Sequence, residues 1–428
     1  MSPAERKYNQ RARWMLCDVL KAFLLINMVL HLVFFVLFIP SNRSRYNVFT
    51  DYWIEKGKAE LLQHHNQLIH EAHTYIDKCS KNLTFQNQLE QDKKQIFEGI
   101  TSQNTINKRK YAVIILSAFR QKEYCLVLAT SLIKNQTLSE RELAHIAVFN
   151  VETNFVNHNW IQNLSTLLPV VHWRDLPMQL YQLFTSDFPQ CDPPCKTSIY
   201  YKLVTNYILA MRLCSLYSDQ YCLILEDDTI ASPHLISKIE KRAIRQLEKQ
   251  SEDWLFCKIF FTDAFLGWSK ENIPELILLT LVVSTVLTGL AYLKFLKGSS
   301  KMVVAYVFLL VYVSSLFHIL MIGRQNIIRS DFPIGISPLK YSSMIQGVLY
   351  NMKSSKFQLL QDVLLKHWNQ TEIDLVIDYW ALETHQPVYM LTPHLIQHLG
   401  AVSGFPGKNR PNKLFKYTSP YFDEKDTI

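Results

Sequence analysis

The stretch Tyr221-Cys222-Leu223-Ile224-Leu225-Glu226-Asp227-Asp228-Thr229-Ile230 is a short apolar run that ends in three consecutive carboxylates. The run from Tyr221 to Leu225 has the length and character of a buried strand. Folding alone has no use for like charges at its end, because adjacent carboxylates repel unless a cation or hydrogen-bond donors neutralise them. In an open α/β sheet, ligands sit at the carboxyl edge of the strands. Hard oxygen donors at that place suit Mg²⁺ or Mn²⁺ holding a diphosphate. The competing reading is a solvated turn that leads into a helix, with Ser232 as N-cap and Pro233 as the first helical residue.

Working outward from this junction, the pattern alternates strands and helices. Strands are predicted at Tyr111 to Ser117, Ala144 to Val151, Leu168 to Val171 and Trp254 to Phe261. Helices are predicted at Tyr124 to Lys134, Tyr200 to Leu216, Leu235 to Lys249, Ser354 to Trp368 and Glu372 to Leu382. This order argues for a largely parallel sheet with covering helices. No Walker or G-x-G-x-x-G loop occurs, so phosphates would be held through a metal rather than a glycine nest.

The chain has 428 residues, of which 48% are apolar and only 11 are glycine. Its net charge of +8 forms no basic stripe with interleaved aromatics, which argues against a nucleic-acid role. Three apolar blocks stand out: Phe23 to Ile39, extended backwards by Val19 and Leu20, then Leu276 to Leu296, then Met302 to Ile322. The last two have the roughly 20 residues a bilayer crossing needs. Arg6, Lys7, Arg11, Arg13 and Lys21 precede or enter the first block, against Arg43 and Arg45 after it. The positive-inside tendency then puts the N-terminus in the cytosol. Pro40-Ser41-Asn42-Arg43 does not make a clean signal-peptidase site. The later blocks are joined by the basic turn Lys297-Gly298-Ser299-Ser300-Lys301, which belongs in the cytosol, with Glu271 and Glu275 on the other side.

The expected organisation is a cytosolic tail (1–18), a membrane anchor (19–39), a lumenal helical stem (40–108) and a first catalytic segment (109–275). A membrane hairpin (276–322, turn 297–301) and a second catalytic segment (323–428) follow. Sequons at Asn82, Asn135, Asn163 and Asn369 lie on both sides of the hairpin, as one shared lumenal compartment requires. The stem histidines His64, His65, His70 and His73 read as a solvated helix face. Seven of the eight cysteines fall in the lumenal part, where disulfides form. Cys191 and Cys195 flank an Asp-Pro-Pro turn and are open to several pairings.

Taken together, these features resemble one family. The anchor, the acidic triplet, the hairpin placed just after Lys258-Ile259-Phe260-Phe261-Thr262-Asp263-Ala264-Phe265-Leu266-Gly267-Trp268, and the tail Pro393-His394-Leu395-Ile396-Gln397-His398-Leu399-Gly400 are similar to the Golgi N-acetylgalactosaminyltransferases that act on GPI anchors after their attachment to proteins. Lys202 to Tyr207 and Ile336 to Lys340 depart from the family pattern, marking a divergent member. The resemblance implies a GT-A glycosyltransferase fold split by the hairpin. It further implies inverting transfer of N-acetylgalactosamine from UDP-GalNAc to the first mannose of the GPI glycan, with Mn²⁺ (or Mg²⁺) as cofactor and GPI-anchored proteins as acceptors.

Site residues follow from the same resemblance. Glu226, Asp227 and Asp228 would hold the metal against the UDP diphosphate, with Asp228 in direct contact. His398 would complete the coordination. Arg120, in Ser117-Ala118-Phe119-Arg120, is placed to meet uridine or phosphate. Asp374 is the expected general base, with Asp378 one helical turn on as alternative or partner and Asp362 as a third candidate. The rival functions are an N-glycan-branching N-acetylglucosaminyltransferase and a non-catalytic lumenal membrane adaptor. A transporter is disfavoured by the few polar residues within the spans.

Overall fold

The computed structural model describes residues 20–21, 23–32, 51–102, 107–118, 123–151, 159–177, 196–250, 253–260, 268, 272–297, 299–322, 335–339, 346–367, 372–392 and 394–399. Two compact units emerge: Met1–Ile54 with Asp263–Phe332, and Glu55–Thr262 with Pro333–Ile428.

Among its described residues the larger unit has ten strands: β1 (Arg109–Ser117), β2 (Ala144–Asn150), β3 (Val170–His172), β4 (Ser218–Glu226), β5 (Thr229–Ala231), β6 (Phe256–Lys258), β7 (Gly335–Leu339), β8 (Gly347–Asn351), β9 (Val388–Thr392) and β10 (Ile396–His398). Eight of them form one sheet in the order β3-β2-β1-β4-β8-β6-β9-β7, and β10 pairs with β5 in a separate ribbon. The predicted β1 to β4 and β6 are all present. The expected largely parallel sheet is present, six of its eight strands pointing one way, with two exceptions. β3-β2-β1-β4 is parallel, but β8 runs antiparallel between β4 and β6, and β7 is an antiparallel neighbour of β9. Antiparallel strands need no covering crossover, so nothing in the local pattern announced them.

Side chains alternate strictly across this sheet. Tyr111, Val113, Ile115, Tyr221, Leu223 and Leu225 enter one apolar cluster, whereas Ala112, Ile114, Cys222 and Ile224 enter another. Both faces are therefore buried, which is why β1 and β4 read as continuous apolar runs rather than alternating ones. On the first face Tyr111, Tyr221 and Trp254 stack at centroid spacings of 5.3 and 5.9 Å. The second face is covered by the helices Lys196–Tyr217, Lys356–His367 and Ile373–Glu383. A disulfide between Cys214 of the first of these helices and Cys222 of β4 ties helix to sheet. Cys191 and Cys195 lie outside the described residues.

Three local expectations change. The stem segment forms two helices, Asp51–Ser80 and Leu83–Ser102, but these pack on the body: Ala72, Ile76 and Cys79 join the first cluster and Ile96 and Ile100 the second. His65 is accordingly buried at 1% exposure, whereas His64 and His70 are exposed as expected and the partly exposed His73 meets Glu123 through Nε2 at 2.6 Å. The helix expected over Leu235 to Lys249 is interrupted by a π turn, Glu240–Ile244, from which Glu240 reaches Lys110 at 2.8 Å and the Tyr111 hydroxyl. Ser232 is not the N-cap. His234, with φ 55°, takes that position, while the Ser232 hydroxyl accepts from the buried Lys238 ammonium at 2.9 Å.

The smaller unit contains the apolar helices Ile273–Ala291, continued by a π turn at Tyr292–Leu296, and Lys301–Ile322. Within them, Ile273–Lys294 and Lys301–Leu320 have a mean hydropathy of 2.3 and are long and apolar enough to cross a membrane. Thr280 and Ser284 turn their hydroxyls back to the carbonyls of Leu276 and Thr280, at 2.7 and 2.6 Å, which satisfies them within their own helix. Ile26 from the helix Phe23–Leu32 packs with Ala291, Leu296, Val307 and Val311.

Candidate active site

The acidic triplet sits where β4 ends. Glu226 is still paired into the sheet, its N–H donating to the Gln346 carbonyl at 3.1 Å. Beyond it the chain leaves the strand plane. The Asp227 N–H donates to the Leu116 carbonyl at 3.1 Å, and its carboxylate Oδ2 accepts from the Ala118 N–H at 2.8 Å. Asp227 thus clasps the carboxyl end of β1 to that of β4. Asp227 and Asp228 are each only 2% exposed, and Glu226 is half-buried. A solvated turn would leave them open to water; this one does not.

Asp228 meets the C-terminal tail. β5 and β10 pair antiparallel with Thr229 opposite His398, and the Leu399 N–H donates to the Asp228 carbonyl at 2.6 Å. This ribbon sets His398 Nε2 3.1 Å from Asp228 Oδ2. His398 is 3% exposed, with the Phe260 ring at 6.3 Å and His394 in the same buried group. The pair offers one carboxylate oxygen and one imidazole nitrogen, donors that fit Mn²⁺. Among the described residues no group of three or more His, Cys, Asp or Glu side chains converges as a ready-made cation site. A divalent ion held partly by substrate phosphates needs only one or two protein carboxylates, so this donor set fits that role.

A second polar group lies on the second face of the sheet. Lys258 ends β6, opposite Val348 of β8, which is itself opposite Ile224 of β4. Its ammonium is 1% exposed and donates to Asp378 Oδ1 at 3.1 Å. Burial pulls the Lys258 pKa down, opposed by the attraction of Asp378 and Asp374. The Asp374 carboxyl is pushed up to about 6, chiefly by burial and then by Glu372, with the Leu375 N–H bond and Lys258 opposing. Between this group and the triplet stand two buried tyrosines, Tyr207 and Tyr350, whose hydroxyls bond each other at 2.7 Å. Tyr207 is an electrostatic neighbour of Glu226, and Tyr350 of Asp378.

The structure therefore brings Asp228 and His398 together, places Asp227 beside them, and sets Asp374 and Asp378 with Lys258. Asp362 is apart from both groups: it is exposed on the helix Lys356–His367 and faces Arg212. Arg120 lies outside the described residues. Sequence reasoning passed over Lys258 and the tyrosine pair. The signal for Lys258 was a single cation inside Leu255-Phe256-Cys257-Lys258-Ile259-Phe260-Phe261, an otherwise apolar run.

Residues 111–397 match the profile of the GPI-N-acetylgalactosamine transferase PGAP4 family. The chain belongs to that family. It is a glycosyltransferase, and the match takes in β1 from Tyr111 on, β2 through β9, the acidic triplet and both Asp374 and Asp378 of the Ile373–Glu383 helix. Curated proteins give no significant match. Among solved structures, apo mouse xyloside xylosyltransferase 1 is similar with a TM-score of 0.34 and 8% identity, over 66% of this chain and 84% of that one.

Proposed function

We propose that this transferase moves N-acetylgalactosamine from UDP-GalNAc to the first mannose of the GPI glycan on GPI-anchored proteins, with inversion at the anomeric carbon. The family description names that sugar and that anchor. The observation that carries the reading is the meeting of Asp228 and His398 at the carboxyl end of β4, where an α/β sheet receives its ligand.

In this reading Asp227, Asp228 and His398 hold Mn²⁺ (or Mg²⁺) and Glu226 flanks the donor. When bound, the cation supplies charge neutralisation for the diphosphate that departs. Asp227 keeps the ends of β1 and β4 in register for this, and Arg120 contacts the nucleotide. Asp374 takes the proton of the acceptor hydroxyl as that oxygen bonds to the anomeric carbon. The bond from that carbon to the diphosphate oxygen breaks with its electron pair on UDP.

The fold in this reading is GT-A-like, interrupted by a membrane hairpin over 276–322 and preceded by an anchor over 19–39. The protein is a multi-pass Golgi membrane enzyme with a cytosolic N-terminus and lumenal segments 40–275 and 323–428. Two apolar helices of spanning length support membrane association. Such an arrangement raises the effective concentration of a lipid-held acceptor glycan. UDP binding in the presence and absence of Mn²⁺ tests the site. The doubly substituted Asp227→Ala, Asp228→Ala protein should lose the metal-dependent binding, and retention of that binding would refute the assignment.

A further inference from the structure

We propose that Lys258 is a positioning residue, whose buried ammonium fixes Asp378 as a permanent ion-pair partner and thereby leaves Asp374 as the carboxylate that accepts the acceptor's proton. The inference rests on the transferase reading above and adds a division of labour between two acids on one helix.

The geometry carries it. Asp374 and Asp378 are one turn apart on the helix Ile373–Glu383 and share a side of it. That helix buries Ile373, Val376, Ile377, Trp380 and Ala381 against the second face of the sheet. Cys257 and Ile259, the neighbours of Lys258, enter the opposite cluster, so Lys258 points towards the acids. Among the described side chains, two partly buried carboxylates and one buried ammonium meet here. The ammonium goes to Asp378 at 3.1 Å, which is 11% exposed on its side chain. Asp374 instead accepts from the Leu375 N–H at 2.9 Å. With both acids ionised these three side chains sum to one negative charge, and uptake of one proton by Asp374 brings the sum to zero. That is the property a general base needs: a proton site whose occupation is favourable but incomplete near neutral pH. Among the described residues, Glu372 lies beside Asp374, and Tyr350 with Tyr207 lies behind Asp378. Arg212 and Asp362 face each other on the helices alongside.

A merely structural lysine and a positioning lysine differ in what they do to the pH profile. Transfer rates of the full-length protein are measured across pH 5 to 9 for wild type, Lys258→Met, Asp378→Asn and the double variant, each with its KM for nucleotide sugar. Loss of the ammonium should move the ascending limb up by about one pH unit, because Asp374 loses a favourable charge. Loss of the Asp378 charge should move it down by about one unit, because Asp374 inherits the ammonium. The double variant should return close to wild type, with KM near the wild-type value throughout. If Lys258→Met does not fold, the downward shift in Asp378→Asn and its reversal in the double variant decide the matter. Shifts in the same direction, or none, overturn the proposal. If wild type transfers no sugar at all, the transferase reading has failed. The pH dependence of the melting temperature then reads the same opposed shifts without activity, and their absence overturns the inference separately.

Discussion

His398 Nε2 and Asp228 Oδ2 lie 3.1 Å apart although 170 residues separate them in sequence. The β5–β10 ribbon brings them together, and both are nearly sealed from water. If the pair holds a divalent cation, His398→Ala should raise the Mn²⁺ concentration for half-maximal transfer by about 10- to 100-fold. A Mn²⁺ titration of activity measures this. An unchanged midpoint with a lowered melting temperature would make the pair a structural hydrogen bond.

Asp374 combines a functional and a stability consequence. Its pKa is about 6, pushed there first by burial, so the transfer rate should rise with pH through that value and level off above it. Asp374→Asn should lower kcat by about 10²- to 10⁴-fold. Stability runs the other way. An acid whose folded value exceeds its unfolded one binds its proton more tightly when folded. Its contribution is therefore full below the unfolded value of 3.8 and is lost as pH rises through about 6. Ionising it at neutral pH costs the fold on the order of 3 kcal/mol. Asp374→Asn should consequently melt higher than wild type at pH 8 and not at pH 4, which calorimetry at the two pH values checks.

The Cys214–Cys222 disulfide ties the helix Lys196–Tyr217 to the strand that delivers the acids. Both cysteines are fully buried, so the bond resists mild reductant. Closing a short loop contributes about 2–3 kcal/mol through the unfolded chain. Replacing both cysteines by alanine should lower the melting temperature by several degrees while leaving KM for nucleotide sugar unchanged.

Topology is tested by glycan mapping. Asn82, Asn135 and Asn163 precede the apolar helices and Asn369 follows them. Glycans found on both sides, with an acceptor sequon engineered into the turn 297–301 left unmodified, are the expected result. Modification of the turn would reverse the proposed orientation.

Much of this was legible beforehand, for identifiable reasons. β1, β2, β4 and the helices Tyr124–Lys134 and Ile373–Glu383 announce themselves through apolar runs and spacing that both buried faces of the sheet demand. The acidic triplet was readable because charge after such a run has few structural uses. β8, β9 and β10 were not, since each is defined by a partner strand brought from far along the chain. The stem helices looked solvated because Gln, Asn and Lys dominate them, yet one stripe suffices to dock Ile76 and Ile96. The Cys214–Cys222 bond was hidden for a related reason: its spacing means nothing until the helix turns back onto β4. Lys258 shows the limit most plainly, because its meaning lies in Asp378, 120 residues later.

The central claim is that Asp227, Asp228 and His398 assemble a donor site for transfer to the GPI glycan. The most direct measurement incubates purified full-length protein and Mn²⁺ with UDP-GalNAc or UDP-GlcNAc and a GPI glycan acceptor, and reads the product by mass spectrometry. The account predicts one added N-acetylhexosamine on the first mannose from UDP-GalNAc, abolished by EDTA and by Asp228→Ala with His398→Ala. Transfer that survives both treatments, or that uses UDP-GlcNAc alone, would contradict it.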